Sequence, residues 1–136
     1  MIVLTLPFPI SVNAMYADGK TRRHKSQRYA DWIAEASLVL KAQRPPQVKG
    51  KFRIEYVLQD NIDRRERDAF NYEKGVTDLL VDHGVVEKDS NRCLRWGSIG
   101  WDETNSVTGV RITITPIAGE EHDTRRQPDQ KYSGAY

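Results

Sequence analysis

Apolar positions recur at two different periods along this chain, and the switches between them divide it into elements. Residues 2 to 6 form a short apolar run that reads as a strand, stopped by Pro7 and Pro9, which cannot donate to a ladder. From Ser11 to Lys25 the chain is polar and basic, and reads as a loop. Ser26 then offers an N-cap for a helix from about Gln27 to Gln43. Tyr29, Trp32, Ile33, Ala36, Val39 and Leu40 recur every three or four residues and form its single stripe, until Pro45-Pro46 end it. Trp32 in that stripe is a core residue and not a stacking platform. From Phe52 to Leu58 the period drops to two, with Phe52, Ile54, Tyr56 and Leu58 on one face and Arg53 and Glu55 on the other, as in a half-buried strand.

A charged loop, Gln59 to Arg67, leads into a second helix predicted from about Asn71 to Asp82, with Gly84 placed as a C-terminal capping glycine. Two further alternating segments, near Arg92 to Trp101 and Val107 to Thr115, read as an antiparallel pair joined by Asp102-Glu103-Thr104-Asn105. Neither a repeat nor an internal linker is visible. From Ala118 the chain has almost nothing to bury, so residues 118–136 are expected to be a polar, disordered tail on a domain of residues 1–117. The fold class that follows is α+β, a small mixed sheet with two main helices.

Composition narrows this picture modestly. The length of 136 residues suits one domain with a modest core. No apolar run approaches the roughly 20 residues that a membrane span needs. The first residues lack a basic leader and a small-residue cleavage site, which favours a strand over a signal peptide. Cys93 is the sole cysteine, so an internal disulfide and a multi-cysteine zinc site are excluded, and a reducing cytoplasm is the expected location. His24, His83 and His122 show no metal spacing with one another.

The formal net charge of +2 is too small to announce a nucleic-acid binder, but its distribution is uneven. Lys20 to Arg28 holds five cations and no acid, among them Arg22, Arg23 and Lys25. A second cluster, Arg64, Arg65 and Arg67, immediately precedes Asp68, Asn71, Glu73 and Lys74, and Asp89 follows one helix later. Divalent metal needs hard oxygen ligands, and a nucleic-acid backbone needs cations around them. Asn71, Lys74, Asp78 and Asp82 would fall within about 80° on a helix, and Lys74 can pair with Asp78 four residues on. An ordinary amphipathic helix accounts for that stripe. It does not account for Asp68 among three arginines, nor for the isolated Asp89.

These residues resemble the signature of the RusA family of Holliday junction resolvases. That family places Arg-Asp-x-Asp-Asn-x-x-Lys at a helix start, a later Asp on the same helix, and Gly-x-x-x-Asp-Asp beyond it. The matching residues are Arg67, Asp68, Asn71, Lys74, Asp78, Gly84 and Asp89. Leu6-Pro7-Phe8-Pro9-Ile10-Ser11-Val12-Asn13 with Tyr16 is similar to the family's amino-terminal motif, and the likeness covers roughly residues 2 to 117. Two positions depart from it: Phe70 stands where the family has its second helix-start Asp, and Lys88 replaces the first Asp of the later pair.

The resemblance implies a RusA-like nuclease domain acting as a homodimer on branched DNA, cutting four-way junctions with Mg²⁺, or Mn²⁺ in its place. It implies recombination or repair in a phage or prophage setting. Asp68 and Asp89 would hold the metal, Lys74 would contact the scissile phosphate or orient the water, and Asn71 would orient a ligand or contact DNA. Asn13, Arg22, Arg23, Lys25, Arg64, Arg65 and Arg67 complete the expected nucleic-acid surface. Glu73, three residues beyond Phe70 and leaning back over its turn, is a candidate to replace the missing acid. Asp78 competes with it as a third ligand. Phe70 equally motivates an alternative: a binder of branched DNA with this fold that no longer cuts.

Overall fold

The protein, described from a computed structural model over residues 1–117, is a four-stranded sheet with two helices and a small outlying hairpin. The tail expected from Ala118 onward lies outside the described residues. Strand β1 (Ile2–Leu6) is followed by a 3₁₀ turn at Val12–Ala14, and a hairpin of β2 (Tyr16–Asp18) and β3 (Arg23–Lys25). Helix α1 (Gln27–Ala42), strand β4 (Phe52–Leu58), a second 3₁₀ turn (Ala69–Tyr72) and helix α2 (Lys74–Asp82) come next. Strands β5 (Leu94–Trp101) and β6 (Val110–Pro116) complete the sheet.

Much of this follows the periodicity. Ser26 caps α1, its Oγ accepting from the Tyr29 N–H at 3.2 Å, and Tyr29, Trp32, Ala36 and Leu40 are buried as the stripe requires. Trp32 is 4% exposed and donates from its indole nitrogen to the Pro7 carbonyl. Strand β4 alternates inward Phe52, Ile54, Tyr56 and Leu58 with outward Arg53 and Glu55. Gly84 ends α2 with φ +71°, its N–H bonding to the Val81 carbonyl while Val85 N–H bonds to Leu80, the paired bonds of a Schellman cap. No helix among the described residues is long and apolar enough to cross a membrane.

Three expectations are corrected. The Ser11–Lys25 loop folds into the 3₁₀ turn and the β2–β3 hairpin, tied down where Ser26 donates to the carbonyls of Ala14 and Met15. The second helix begins at Lys74, because the Asp68 carboxylate caps a separate 3₁₀ turn first. Strands β5 and β6 are not partners. The order is β1-β6-β4-β5, with β4 between them, parallel to β5 and antiparallel to β6. Helix α2 makes the crossover that parallel strands need, so β4, α2 and β5 form one β-α-β unit. The Asp102–Asn105 segment turns tightly, yet it leads across β4 instead of back along β5.

Candidate active site

Two sequence motifs far apart in the chain meet at the start of α2. Phe8, from the Pro-rich stretch, packs its ring against Tyr72 at 5.2 Å and Trp101 at 6.5 Å, and Tyr72 meets Trp101 at 6.3 Å. Arg67 lies 5.8 Å over Phe8 and grips Asp63 with both terminal guanidinium nitrogens, at 2.7 and 2.8 Å. That forked pair holds the Asp63 carboxyl at about 2, well below its usual 3.8. Arg67 therefore braces the loop, with two of its nitrogens engaged by a carboxylate.

A cleft of about 290 Å³ opens beside α2, lined by Tyr56, Phe70, Glu73, Asp89 and residues of β5 that include Gly97 and Ile99. Glu73 and Asp89 enter it from opposite ends of α2, Glu73 from the junction before the helix and Asp89 from the loop after the glycine cap. Loop 87–93 is anchored on both sides: Glu87 accepts from Gly50 N–H at 2.8 Å, and Cys93 and Leu94 N–H groups bond to the Ser90 carbonyl. Phe70, 77% exposed, borders the same cleft, so the aromatic departure sits beside the two acids.

Glu73 is held from below. The Thr77 hydroxyl, one helical turn on, donates to the Glu73 carboxylate in a short hydrogen bond. Tyr56 makes a second short contact to the same hydroxyl, and donates to it if Thr77 is already donating to Glu73. Tyr56 and Thr77 are 3% and 2% exposed, and burial pushes the Tyr56 phenol far up, keeping it a neutral donor. Neither residue was a candidate from the sequence. Thr77 interrupts the apolar side of α2 four residues after Glu73, the spacing of facing helical side chains, and that is the signal which could have found it.

The other candidates distribute around this cleft. Lys74 pairs with Asp78 at 3.2 Å, which raises its pKa, and the fields of Asp89 and Glu73 raise it further. Asp78 turns toward a groove that it shares with Tyr16, Lys25 and Asp82. Asp68 borders a separate cleft with Arg65, Glu66, Arg67 and Trp101, and its carboxylate accepts from Phe70 N–H at 3.1 Å. Asn13 is exposed on the first 3₁₀ turn, which packs beside the second one carrying Asn71. Arg22 follows the hairpin's tip, Arg23 lies 5.6 Å over Tyr16, and Arg64 is exposed in the loop before Asp68. Among the described residues no three His, Cys, Asp or Glu side chains come together as a metal site. The two that share the cleft still suit Mg²⁺, which commonly takes one or two carboxylates and fills its octahedron with water and substrate phosphate.

A family model described as Endodeoxyribonuclease RusA matches residues 7–115 of the chain. Among curated proteins none matches it.

Proposed function

Since the chain belongs to the RusA endodeoxyribonuclease family, we propose that it resolves four-way DNA junctions as a homodimer, using a divalent metal at the Glu73–Asp89 cleft. The observation that carries this reading is the convergence of those two carboxylates on one cleft, with Lys74 in their combined field. A bound Mg²⁺ would activate water and neutralise charge developing on the scissile phosphate. Glu73 and Asp89 would be its protein ligands, with water and the phosphate completing the shell. Glu73 then supplies the carboxylate that the family pattern sets at the position of Phe70. Thr77, itself contacted by Tyr56, would orient the Glu73 carboxylate toward the metal. Lys74 adds positive charge beside the reacting phosphate. Asp68 serves the approach, orienting the turn before α2 between the arginines and the cleft.

Outside the cleft, Arg22, Arg23 and Lys25 on the hairpin side and Arg64 and Arg65 before α2 bind the phosphates of the junction arms. One acidic pair per chain cuts one strand, so symmetric resolution requires two copies. The phage or prophage role in recombination and repair rests on the family resemblance alone.

The exposed Phe70 and the absence of a three-acid cluster among the described residues favour one other reading: a junction binder that does not cut. A single experiment separates the two. A synthetic four-way junction is incubated with the protein, with and without Mg²⁺, and binding and cleavage are measured on the same samples. Paired nicks only with metal support resolution, whereas tight binding without nicks at any metal concentration supports the binder.

A further inference from the structure

The sheet carries a second cationic and aromatic surface on the face opposite its buried side. Inward Phe52, Ile54, Tyr56 and Leu58 leave Arg53, Glu55 and Val57 of β4 pointing outward. At the Phe52–Arg53 step the register with β5 shifts: Phe52 faces Leu94, but Arg53 faces Trp96. Arg95 is the extra residue, a β-bulge. Consecutive side chains of a regular strand point to opposite faces, and a bulge breaks that alternation. Arg95 and Trp96 consequently line one groove, about 510 Å³ in volume, together with Lys51, Arg53 and Ile117. Arg95 is steadied there by donating to the Asn91 carbonyl at 3.1 Å.

Trp96 differs from the chain's other two tryptophans. Trp32 is buried in the core and Trp101 packs against Phe8 and Tyr72, while Trp96 is 71% exposed. Among the described residues no carboxylate lines its groove; Glu55, the next outward residue on β4, pairs in register with Ser98 further along β5. Two arginines, Arg53 and Arg95, beside a bare indole are complementary to phosphates flanking a base. The ring needs an open base face, which a stacked duplex hides and a single strand presents. A second copy docked here by two-fold symmetry would set cations against cations.

We propose that this bulge-built groove is a contact for single-stranded DNA, with a base stacked on Trp96 and the flanking phosphates on Arg53 and Arg95. It goes beyond the junction-cutting reading and does not depend on it, since the cleft is built on the inward residues Ile54 and Tyr56.

The test uses the full chain and an oligothymidylate, followed by tryptophan fluorescence at low salt. Stacking on the exposed indole should quench emission. Trp96→Ala should abolish that quench and weaken binding about tenfold, about 1.4 kcal/mol, whereas Trp96→Phe should retain most of the affinity. An abasic oligomer of equal length should bind the unmodified chain and Trp96→Ala alike. Replacing Arg53 and Arg95 by Gln should flatten the salt dependence by up to about two units. Equal oligothymidylate affinity for Trp96→Ala and the unmodified chain would overturn the assignment. So would loss of self-association in Trp96→Ala without any change in DNA affinity, which would give this face to a second copy. A chain that shows the Trp96-dependent quench but cuts no junction leaves this assignment standing while the cleft reading fails. Junction cutting without that quench does the reverse.

Discussion

Glu73 is the residue on which the catalytic reading turns. Its carboxylate is fixed by Thr77, which is itself contacted by a buried phenol, and an arrangement of that kind orients a ligand. Glu73→Gln should therefore lower Mg²⁺-dependent cleavage by at least about a hundredfold while leaving junction affinity within a factor of about two. Phe70→Asp should be tolerated or activating, because it adds a carboxylate to the same cleft. Wild-type rates from Glu73→Gln would sink the replacement idea. Thr77→Val provides an independent check, since it should weaken metal binding, read by calorimetry without DNA, by roughly tenfold. It also strands the Tyr56 hydroxyl in the core, at about 1–3 kcal/mol of stability, and adding Tyr56→Phe should recover part of that loss. A second acid is purely structural. The Asp102 carboxylate accepts from the Thr104, Ser106 and Val107 N–H groups and from the Thr104 hydroxyl, which holds it at about 2 against its usual 3.8. Those bonds favour the ionised form, so the stabilisation is complete above about pH 4 and disappears as pH falls toward 2. Thermal melts across that range should show Asp102→Asn with a smaller acid-induced drop than the unmodified chain.

At the scale of elements, two glycines with left-handed backbone should respond very differently to the same change. Gly84 has φ +71°, and a Cβ there would find its nearest neighbour, the Gln47 side chain, at 3.6 Å. Gly84→Ala should cost about 1 kcal/mol, the penalty of the backbone conformation alone. Gly109 has φ +77°, but its Cβ would lie 2.1 Å from the Leu6 carbonyl oxygen at the end of β1. Main chain cannot step aside as a flexible side chain can. Gly109→Ala should therefore exceed the Gly84→Ala loss severalfold and disturb the β1–β6 pairing, where Leu6 faces Val110. Urea melts of both variants check the order, and equal midpoints would show that the β1 end yields easily.

At the scale of the whole molecule, the two basic clusters that flank the acids in the chain should govern its behaviour with junction DNA. Neutralising Arg22, Arg23, Lys25, Arg64 and Arg65 together should weaken binding to every branched sequence and reduce the salt slope by roughly one unit per lost phosphate contact. An unchanged slope would remove these residues from the interface. Arg67 is left out of that set because its guanidinium is engaged by Asp63. Light scattering should find a dimer at micromolar concentration, and a monomer that still made paired cuts would contradict the symmetric scheme.

The chain's own periodicity determined α1 and its Ser26 cap, both faces of β4, and the glycine stop of α2, because each depends on neighbours within one turn or one pleat. The likeness of Arg67, Asp68, Asn71, Lys74 and Asp89 to a family pattern was equally legible, being a matter of residue type and spacing. Strand pairing was not. Alternation states which face of a strand is buried but carries no mark of its partner, so it cannot tell a β5–β6 hairpin from the observed order, in which β4 lies between them. The same limit applied to the site. The family resemblance groups Asp68 with Asp89; in the fold, the 3₁₀ turn before α2 sets Asp68 beside one cleft and Glu73, with Asp89, beside another. Thr77 and Tyr56 read as helix and strand residues 21 positions apart, and only the packing of α2 on β4 joined them beneath Glu73. The bulge that brings Arg95 and Trp96 into one groove depends on register with β4, a long-range property that no local pattern encodes.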